Sequence, residues 1–401
     1  MTTDRPASSA SPASPPARPA SATPPRLLLE STEDVLGAVP YLLGFHPSDS
    51  LVVVGLIGGP PRSRLHLTVR WDLPLAIGDP DQVVPLFHKE GVTHVLVAGY
   101  GPGSLVTPAA EAVTALFRSG GLTVVDTLRV EGDRYWSYGC QGVGCCPADG
   151  TPYAHRATAV AAEAVLQGLV ALPDRKTLER SLDPVEGPAR EGVRRATGRI
   201  TGEVRSRLAG CGDAERFAAE FVAEGVARVR AAIGVCASGG RLDDEQAIRL
   251  GLDLAVIRVR DEAWTLVTDD DHDVHLRLWH DLTRRLEPRF VPPAASLLGM
   301  VAWRQGDSAL AGVALTRALE IDPSYSMANL LMHALRSLVP PRVLREGMPG
   351  PEELDQEMGS PRTAWLLPMI MLLDDPGEPC DSRRGATTSP SQPSSRLRRS
   401  L

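Results

Sequence analysis

The chain has 401 residues, of which 43% are hydrophobic and 23% charged, so it can bury a large core, and its length favours two or three domains. Its 42 basic and 49 acidic residues give a net charge of -7, which repels phosphate backbones and argues against nucleic acid as a partner. Lys89 and Lys176 are the only lysines, and no G-x-x-x-x-G-K-[ST] sequence occurs, which excludes a P-loop.

Residues 1–25 are rich in Pro, Ala and Ser, and we expect them to be disordered. They lack the continuous apolar core of a secretory signal, so we expect a cytoplasmic protein with reduced cysteines. The longest apolar runs, at residues 51–57 and 364–373, are too short to cross a bilayer, which predicts no membrane partner.

Residues 26–172 are predicted to form a layered α/β domain, because strand and helix patterns alternate along them. The first helix, at residues 35–43, has Thr32 as its cap and Gly44 as its stop. The later elements are a hairpin of strands 51–57 and 65–71, a helix at 81–90, a strand at 92–98, a helix at 108–118 and a strand at 122–130. Such an order predicts a largely parallel or mixed sheet.

Residues 173–340 are predicted to form a helical domain, because Ala, Leu, Val and Arg recur there at helical spacing after a boundary near Pro173. Small residues around a turn at Gly306 and Asp307 match a tetratricopeptide-like hairpin. Since only one such unit is recognisable, we interpret it as a helical pair that closes its own domain. Residues 341–401, rich in Pro, Gly, Ser and Arg, are predicted to be a mostly disordered tail.

Scarce cysteines and aromatic residues cluster in the sequence YWSYGCQGVGCCP at residues 135–147. Cys140, Cys145 and Cys146 with His155 have the chemistry of zinc ligands, but adjacent cysteines without paired C-x2-C knuckles argue against a metal. In a second interpretation, Cys145 or Cys146 is a nucleophile and His155 its base. The favoured interpretation is a Gly-rich loop whose thiols and rings pack against the sheet edge.

A glycine-rich turn joins a predicted strand to a predicted helix, which is where α/β sheets bind anions. Its candidate residues are Gly99, Gly101, Gly103 and Ser104. Ser104 replaces the third glycine of G-x-G-x-x-G, and the proline at position 102 lacks a backbone donor. A plain turn is therefore favoured over a nucleotide site, and no cofactor is predicted.

The loop before the first strand carries His46 and Asp49, which suit acid/base chemistry but more commonly support the turn and pack. This loop precedes its strand, whereas the glycine-rich turn follows its own. In a parallel sheet the two would lie at opposite edges. Residues 269–275 combine carboxylates and imidazoles but also begin a predicted helix that ends near Arg285, so helix capping is favoured over a metal site.

Three segments occur in order along the chain: PYLLGFHPSDSLVVV at residues 40–54, YWSY with Cys140 and the CCP of residues 145–147, and AWRQGD at residues 302–307. Together they resemble an actinobacterial family of uncharacterised proteins catalogued as a domain of unknown function. The resemblance implies one architectural unit in a bacterial cytoplasm. It implies no activity, cofactor or catalytic residue.

The sequence favours a ligand-binding, protein-binding or regulatory module over an enzyme, because no stretch supplies a recognised base, nucleophile and stabiliser. The alternative is a thiol- or metal-dependent enzyme centred on residues 140–155, so the sequence leaves enzymatic activity open. In a third interpretation, the helical half is a docking surface for another protein.

Overall fold

The computed structural model describes residues 31–58, 64–76, 80, 82–140, 146–154, 158–347 and 349–374. Within these residues, six strands form a sheet: β1 (Ser50–Ile57), β2 (Arg64–Asp72), β3 (His94–Tyr100), β4 (Thr123–Glu131), β5 (Arg134–Ser137) and β6 (Thr151–Pro152). Their order across the sheet is β2-β1-β3-β4-β5-β6.

The sheet is mixed, which confirms the predicted fold class. Strand β1 is antiparallel to both β2 and β3, whereas β3 and β4 are parallel. Ser50 at the start of β1 therefore pairs with Tyr100 at the end of β3. The expectation that the His46 loop and the glycine-rich turn lie at opposite edges is wrong, because an antiparallel pair brings the start of one strand beside the end of the other.

Helices cover both faces of the sheet, which explains why β1 and β3 are continuous apolar runs. They are α1 (Thr32–Leu43), α2 (Val83–Lys89), α3 (Gly103–Ser119) and α4 (Ala159–Leu166). Leu36 of α1 packs with Val52 on one face, next to α4. Phe87 of α2 and Phe117 of α3 pack with Val97 on the other face.

The boundaries of two of these helices differ from the predicted ones. Helix α1 is capped by Ser31, whose hydroxyl accepts a hydrogen bond from the N–H of Asp34 at 3.1 Å, and not by Thr32. It ends at Gly44 with φ 80°, as predicted. Helix α3 begins at Gly103, earlier than the predicted start at residue 108, so the last glycine of the turn is helical.

The rest of the described chain is helical. Its α-helices are α5 (Arg175–Arg180), α6 (Gly187–Ala209), α7 (Ala214–Ala237), α8 (Asp244–Asp253), α9 (Ile257–Thr265), α10 (His272–Arg285), α11 (Val291–Arg304), α12 (Ser308–Ile321), α13 (Ser326–Arg336), α14 (Arg342–Glu346), α15 (Pro351–Met358) and α16 (Leu367–Asp374). They share one apolar core that includes Phe221, Trp279 and Phe290. Helices α11 and α12 form a hairpin at the predicted place, in which Gly299 allows close contact with Leu315.

The segment after residue 350 differs from the predicted tail. Helices α15 and α16 lie within it, and Leu366, Met369 and Leu373 are buried in the core of the helical half. Asp355 of α15 also pairs with the buried Arg258 at 2.6 Å. These apolar positions recur at helical spacing, a signal that the surrounding Pro and Gly residues obscure. In the part of the chain that the structure describes, no helix is both long and apolar enough to span a membrane.

Candidate functional site

The loop before β1 and the turn after β3 meet at one edge of the sheet. The N–H of Leu73, just after β2, donates to the carbonyl of Asp49 at 2.8 Å, and the N–H of Gly101 donates to the carbonyl of Val130 in β4 at 2.9 Å. Backbone hydrogen bonds thus fix both segments to neighbouring strands. Asp49 has φ 42° and Gly101 has φ 133°, so both adopt conformations that L side chains rarely accept.

The Asp49 side chain lies directly over the turn. A Cβ atom added to Gly101 would lie 3.0 Å from Oδ1 of Asp49, so the absence of a side chain at Gly101 makes room for the carboxylate. Asp49 is exposed, and its carboxylate forms no hydrogen bond or ion pair with another described residue. An acceptor is therefore open at this edge.

Open donors lie on the other side of the same turn, where α3 begins. The N–H groups of Leu105 and Val106 both donate to the carbonyl of Pro102, each at 3.0 Å. Within the described residues, nothing accepts from the N–H groups of Gly103 and Ser104 or from the Ser104 hydroxyl, and Pro102 provides no side-chain cap. The first N–H groups of a helix attract anions.

Arg129 of β4 places a cation beside the first residue of α3. A Cβ atom at Gly103 would overlap Nη1 of Arg129, so the guanidinium lies against the first residue of α3. The Arg129 side chain is 19% exposed, and its nearest carboxylate is that of Glu131, at 3.7 Å and 48% exposed. Such a distant and solvated acid neutralises the guanidinium weakly.

Trp136 of β5 holds Arg129 in place. The guanidinium carbon lies 3.7 Å from the centroid of the indole ring, in a cation–π contact. The ring is itself fixed, because its Nε1–H donates to the carbonyl of Ala148 at 3.1 Å and a Cβ atom at Gly150 would lie 2.6 Å from its Cε2. The cysteine-rich motif thus reaches the site through an aromatic side chain.

The thiols themselves do not meet at this edge. Cys140 is half-buried and follows β5, after Tyr138, whose N–H donates to the carbonyl of Thr127 in the middle of β4. Cys146 is exposed, in the loop beside Trp136. Cys145 and His155 lie outside the described residues. Among the described residues, no group of three His, Cys, Asp or Glu side chains is arranged to hold a metal ion.

The remaining candidates, His46, Gly99 and residues 269–275, make contacts that support the fold. The backbone N–H of His46 donates to the carbonyl of Leu172 at 2.9 Å, which joins this loop to the chain before α5. Gly99 allows β3 to approach α3, since a Cβ atom there would overlap Val106. Helix α10 begins at His272 and ends at Arg285, close to the predicted bounds, but the side chain of its N-cap Asp271 accepts from the N–H of Thr268 and not from the helix.

Arg129 is the residue that sequence reasoning missed. The other charged residue inside β4, Asp126, lies in the first half of the strand, and its carboxylate accepts from the Ser137 hydroxyl at 2.7 Å. Arg129 lies near the end of β4, opposite Gly99. An arginine between the apolar Leu128 and Val130, near the end of β4, is the signal that would have found it.

Comparison with known proteins gives a family and no activity. Residues 33–342, most of the chain, match the family described as Domain of unknown function (DUF4192). No curated protein and no solved structure matches the chain. The chain therefore belongs to the family Domain of unknown function (DUF4192).

Proposed function

We propose that the protein is a binding module for a small anionic ligand, which it holds between the start of α3 and Arg129. The observation that carries the proposal is the position of the guanidinium over Gly103. A cation at a helix N-terminus is electrostatically unfavourable unless an anion lies between them, and Glu131 at 3.7 Å does not fill that role. The chain brings these positive groups together although its net charge is -7.

The donor set supports this proposal. The N–H groups of Gly103 and Ser104, the Ser104 hydroxyl and the Arg129 guanidinium belong to one turn and the strand beside it, and the arginine is held by Trp136. Hydrogen bonds from a guanidinium to an anion are among the strong ones, and a fixed guanidinium loses less entropy on binding. Binding requires no chemistry from the thiols.

Isothermal titration calorimetry of the full chain with inorganic phosphate and with acetate tests this function. We expect Arg129→Gln to weaken phosphate binding by about tenfold to a hundredfold, because a charge-assisted hydrogen bond contributes about 1.5–3 kcal/mol. The matched control is Arg118→Gln, since Arg118 is an exposed arginine in the last turn of α3, at the opposite end of the helix from Gly103. Equal affinities of wild type and Arg129→Gln would contradict the proposal.

We also propose a division into an α/β unit at residues 26–172 and a helical unit at residues 173–340, in a cytoplasmic protein of actinobacterial origin. The apolar clusters support the division, because two flank the sheet and the third lies among the helices. The hairpin of α11 and α12 supports a tetratricopeptide-like helical pair that closes its own domain, because α11 is buried along almost its whole length. The alternative is a thiol- or metal-dependent enzyme centred on residues 140–155. Alkylation of Cys145 and Cys146 in the folded protein at neutral pH tests the thiol chemistry, and elemental analysis for zinc tests the metal.

A further inference from the structure

We propose that two copies of this chain associate through β2, whose free edge pairs with the same edge of the second copy. The two strands run antiparallel, and the pair is centred on Val69. Among the described strands, β2 is the first in the order across the sheet and pairs with β1 alone. This interaction surface is independent of the proposed anion binding.

The hydrogen bonds between β1 and β2 decide which backbone groups of β2 point away from the sheet. The N–H of Leu73 donates to the carbonyl of Asp49 at 2.8 Å, so these two residues form a hydrogen-bonded pair. Bonded and non-bonded pairs alternate along an antiparallel ladder, which puts Thr68, Arg70 and Asp72 in non-bonded positions opposite β1. Their N–H and C=O groups therefore point outward, and no backbone group of another described residue bonds to them.

The side chains of β2 are less covered than those of the central strands. Every residue of β1 from Ser50 to Leu56 is buried, whereas no residue of β2 is. Leu67, Val69 and Trp71 are half-buried on the face of the sheet that α2 and α3 cover. A strand with apolar side chains and an open row of backbone groups is a template for another strand.

Two orphaned polar atoms favour a second copy as the partner. Oγ1 of Thr68 and Nε of Arg70 are buried and have no hydrogen-bond partner among the described residues. The hydroxyl oxygen accepts and the guanidinium nitrogen donates, and the two residues lie two positions apart on the same strand. In an antiparallel pair centred on Val69, Thr68 of each copy lies opposite Arg70 of the other. Each orphaned atom then faces the type of partner that it lacks.

Charge and regularity select this register over its neighbours. Only registers that align the outward backbone groups of both copies form hydrogen bonds, so the alternatives are centred on Arg70 or on Thr68. The first places two guanidinium groups opposite each other, which is destabilising. The second extends the pairing into the register shift near the start of β2. Centred on Val69, residues 67–71 pair without like charges, and aromatic and aliphatic side chains lie opposite each other.

Sedimentation velocity of the full chain tests the association, and a cysteine at the centre of the pair tests the register. We expect wild type to sediment as a dimer. The N–H and C=O of Val69 point toward β1, so Val69 of the two copies would form a non-bonded pair with Cα atoms about 4.5 Å apart, within disulfide range. Val69→Cys should therefore form a disulfide-linked dimer on oxidation, visible in a non-reducing gel.

The matched control is Thr68→Cys. Thr68 lies one position from the centre, so the two Thr68 residues would be diagonal neighbours about 7–8 Å apart, farther than a disulfide spans without backbone movement. This variant should sediment as a dimer. It should not cross-link beyond the background of wild type, which carries six native cysteines.

Charged variants at the same position test the interface without thiol chemistry. Val69→Lys and Val69→Glu should each sediment as monomers, because like charges would meet at the centre of the pair, and an equal mixture of the two should recover the dimer. A monomeric wild type would overturn the proposal. A dimeric wild type in which Val69→Cys cross-links no better than Thr68→Cys would also overturn it, because the copies would then meet at another surface.

Discussion

Asp49 and Gly101 contact each other where β1 begins and β3 ends, and both have a positive φ. The contact exists because β1 and β3 are antiparallel, which places Ser50 beside Tyr100. A side chain at Gly101 would meet Asp49, whereas Asp49 keeps its own side chain in a conformation that favours glycine. The pair leaves a carboxylate open to ligands at the price of backbone strain at position 49.

That strain predicts an unusual order of substitutions at Asp49. We expect Asp49→Val to be less stable than Asp49→Gly by about 1–2 kcal/mol in urea unfolding, because a β-branched residue tolerates a positive φ poorly. The control is Glu131 at the end of β4, which is exposed and extended. There the order should reverse, since valine suits a strand and glycine weakens it. If the valine and glycine variants had the same order of stability at both positions, the positive φ of Asp49 would not determine the stability of its variants.

Gly103→Ala should reduce anion binding without unfolding the protein. An added Cβ atom would overlap Nη1 of Arg129, the far end of a flexible side chain, so the guanidinium would move while the backbone stayed in place. We expect phosphate affinity to fall about tenfold in calorimetry, in line with the loss of one charge-assisted hydrogen bond. The free energy of unfolding should change by less than about 1 kcal/mol, because alanine is the better helix former.

The matched control for Gly103→Ala is Gly198→Ala. Gly198 lies inside α6, where a Cβ atom would meet nothing within 4 Å. This substitution should stabilise the chain by about 0.5–1 kcal/mol and leave phosphate affinity unchanged. An equal loss of affinity in both variants would mean that Gly103 has no specific part in holding Arg129.

Local sequence patterns predict most of the helices and strands. The site, in contrast, depends on how strands that are distant in the sequence pair with each other. The apolar runs of β1 and β3 are recognisable in the sequence, because helices bury both faces of these strands. Strand direction is not recognisable in such runs, so the meeting of Asp49 and Gly101 could not be foreseen. Trp136 belongs to the cysteine-rich motif at residues 135–147. Its contact with Arg129 depends on the register of β4 and β5, which the motif alone does not give.

Gly150→Ala should destabilise the protein more than a comparable glycine substitution elsewhere. Gly150 has φ 84°, and a Cβ atom would lie 2.6 Å from Cε2 of the rigid Trp136 ring. Gly121 is the control, because it has φ 79° and nothing within 4 Å of its Cβ position. Gly121→Ala should cost about 1–2 kcal/mol for the positive φ alone. Gly150→Ala should lower the free energy of unfolding by about 1 kcal/mol or more beyond the loss in Gly121→Ala, since the Trp136 ring must shift. Equal losses of the two variants in urea unfolding would contradict the packing of Gly150 against Trp136.

His280 should make stability depend on pH in the acidic range. It is buried in α10, and burial, with a smaller contribution from Arg284, lowers the pKa of its imidazole to about 4 from about 6.5, while Asp281 opposes the shift. Between these two values the unfolded chain binds a proton that the folded chain does not. The contribution of His280 is therefore fully present above pH 6.5 and is lost as the pH falls toward 4. The lost stability amounts to about 3 kcal/mol.

Urea unfolding from pH 7 to pH 4 measures this dependence directly. His280→Gln removes the titrating group and should flatten the decrease in stability by about 3 kcal/mol across that range. His333→Gln is the control, because His333 is exposed on α13, and its pH profile should follow wild type. The assignment would be refuted if His280→Gln lost as much stability as wild type between pH 6.5 and pH 4. NMR titration of the His280 imidazole in the folded protein should in turn show protonation near pH 4, since the neutral ring is the form that the core accepts.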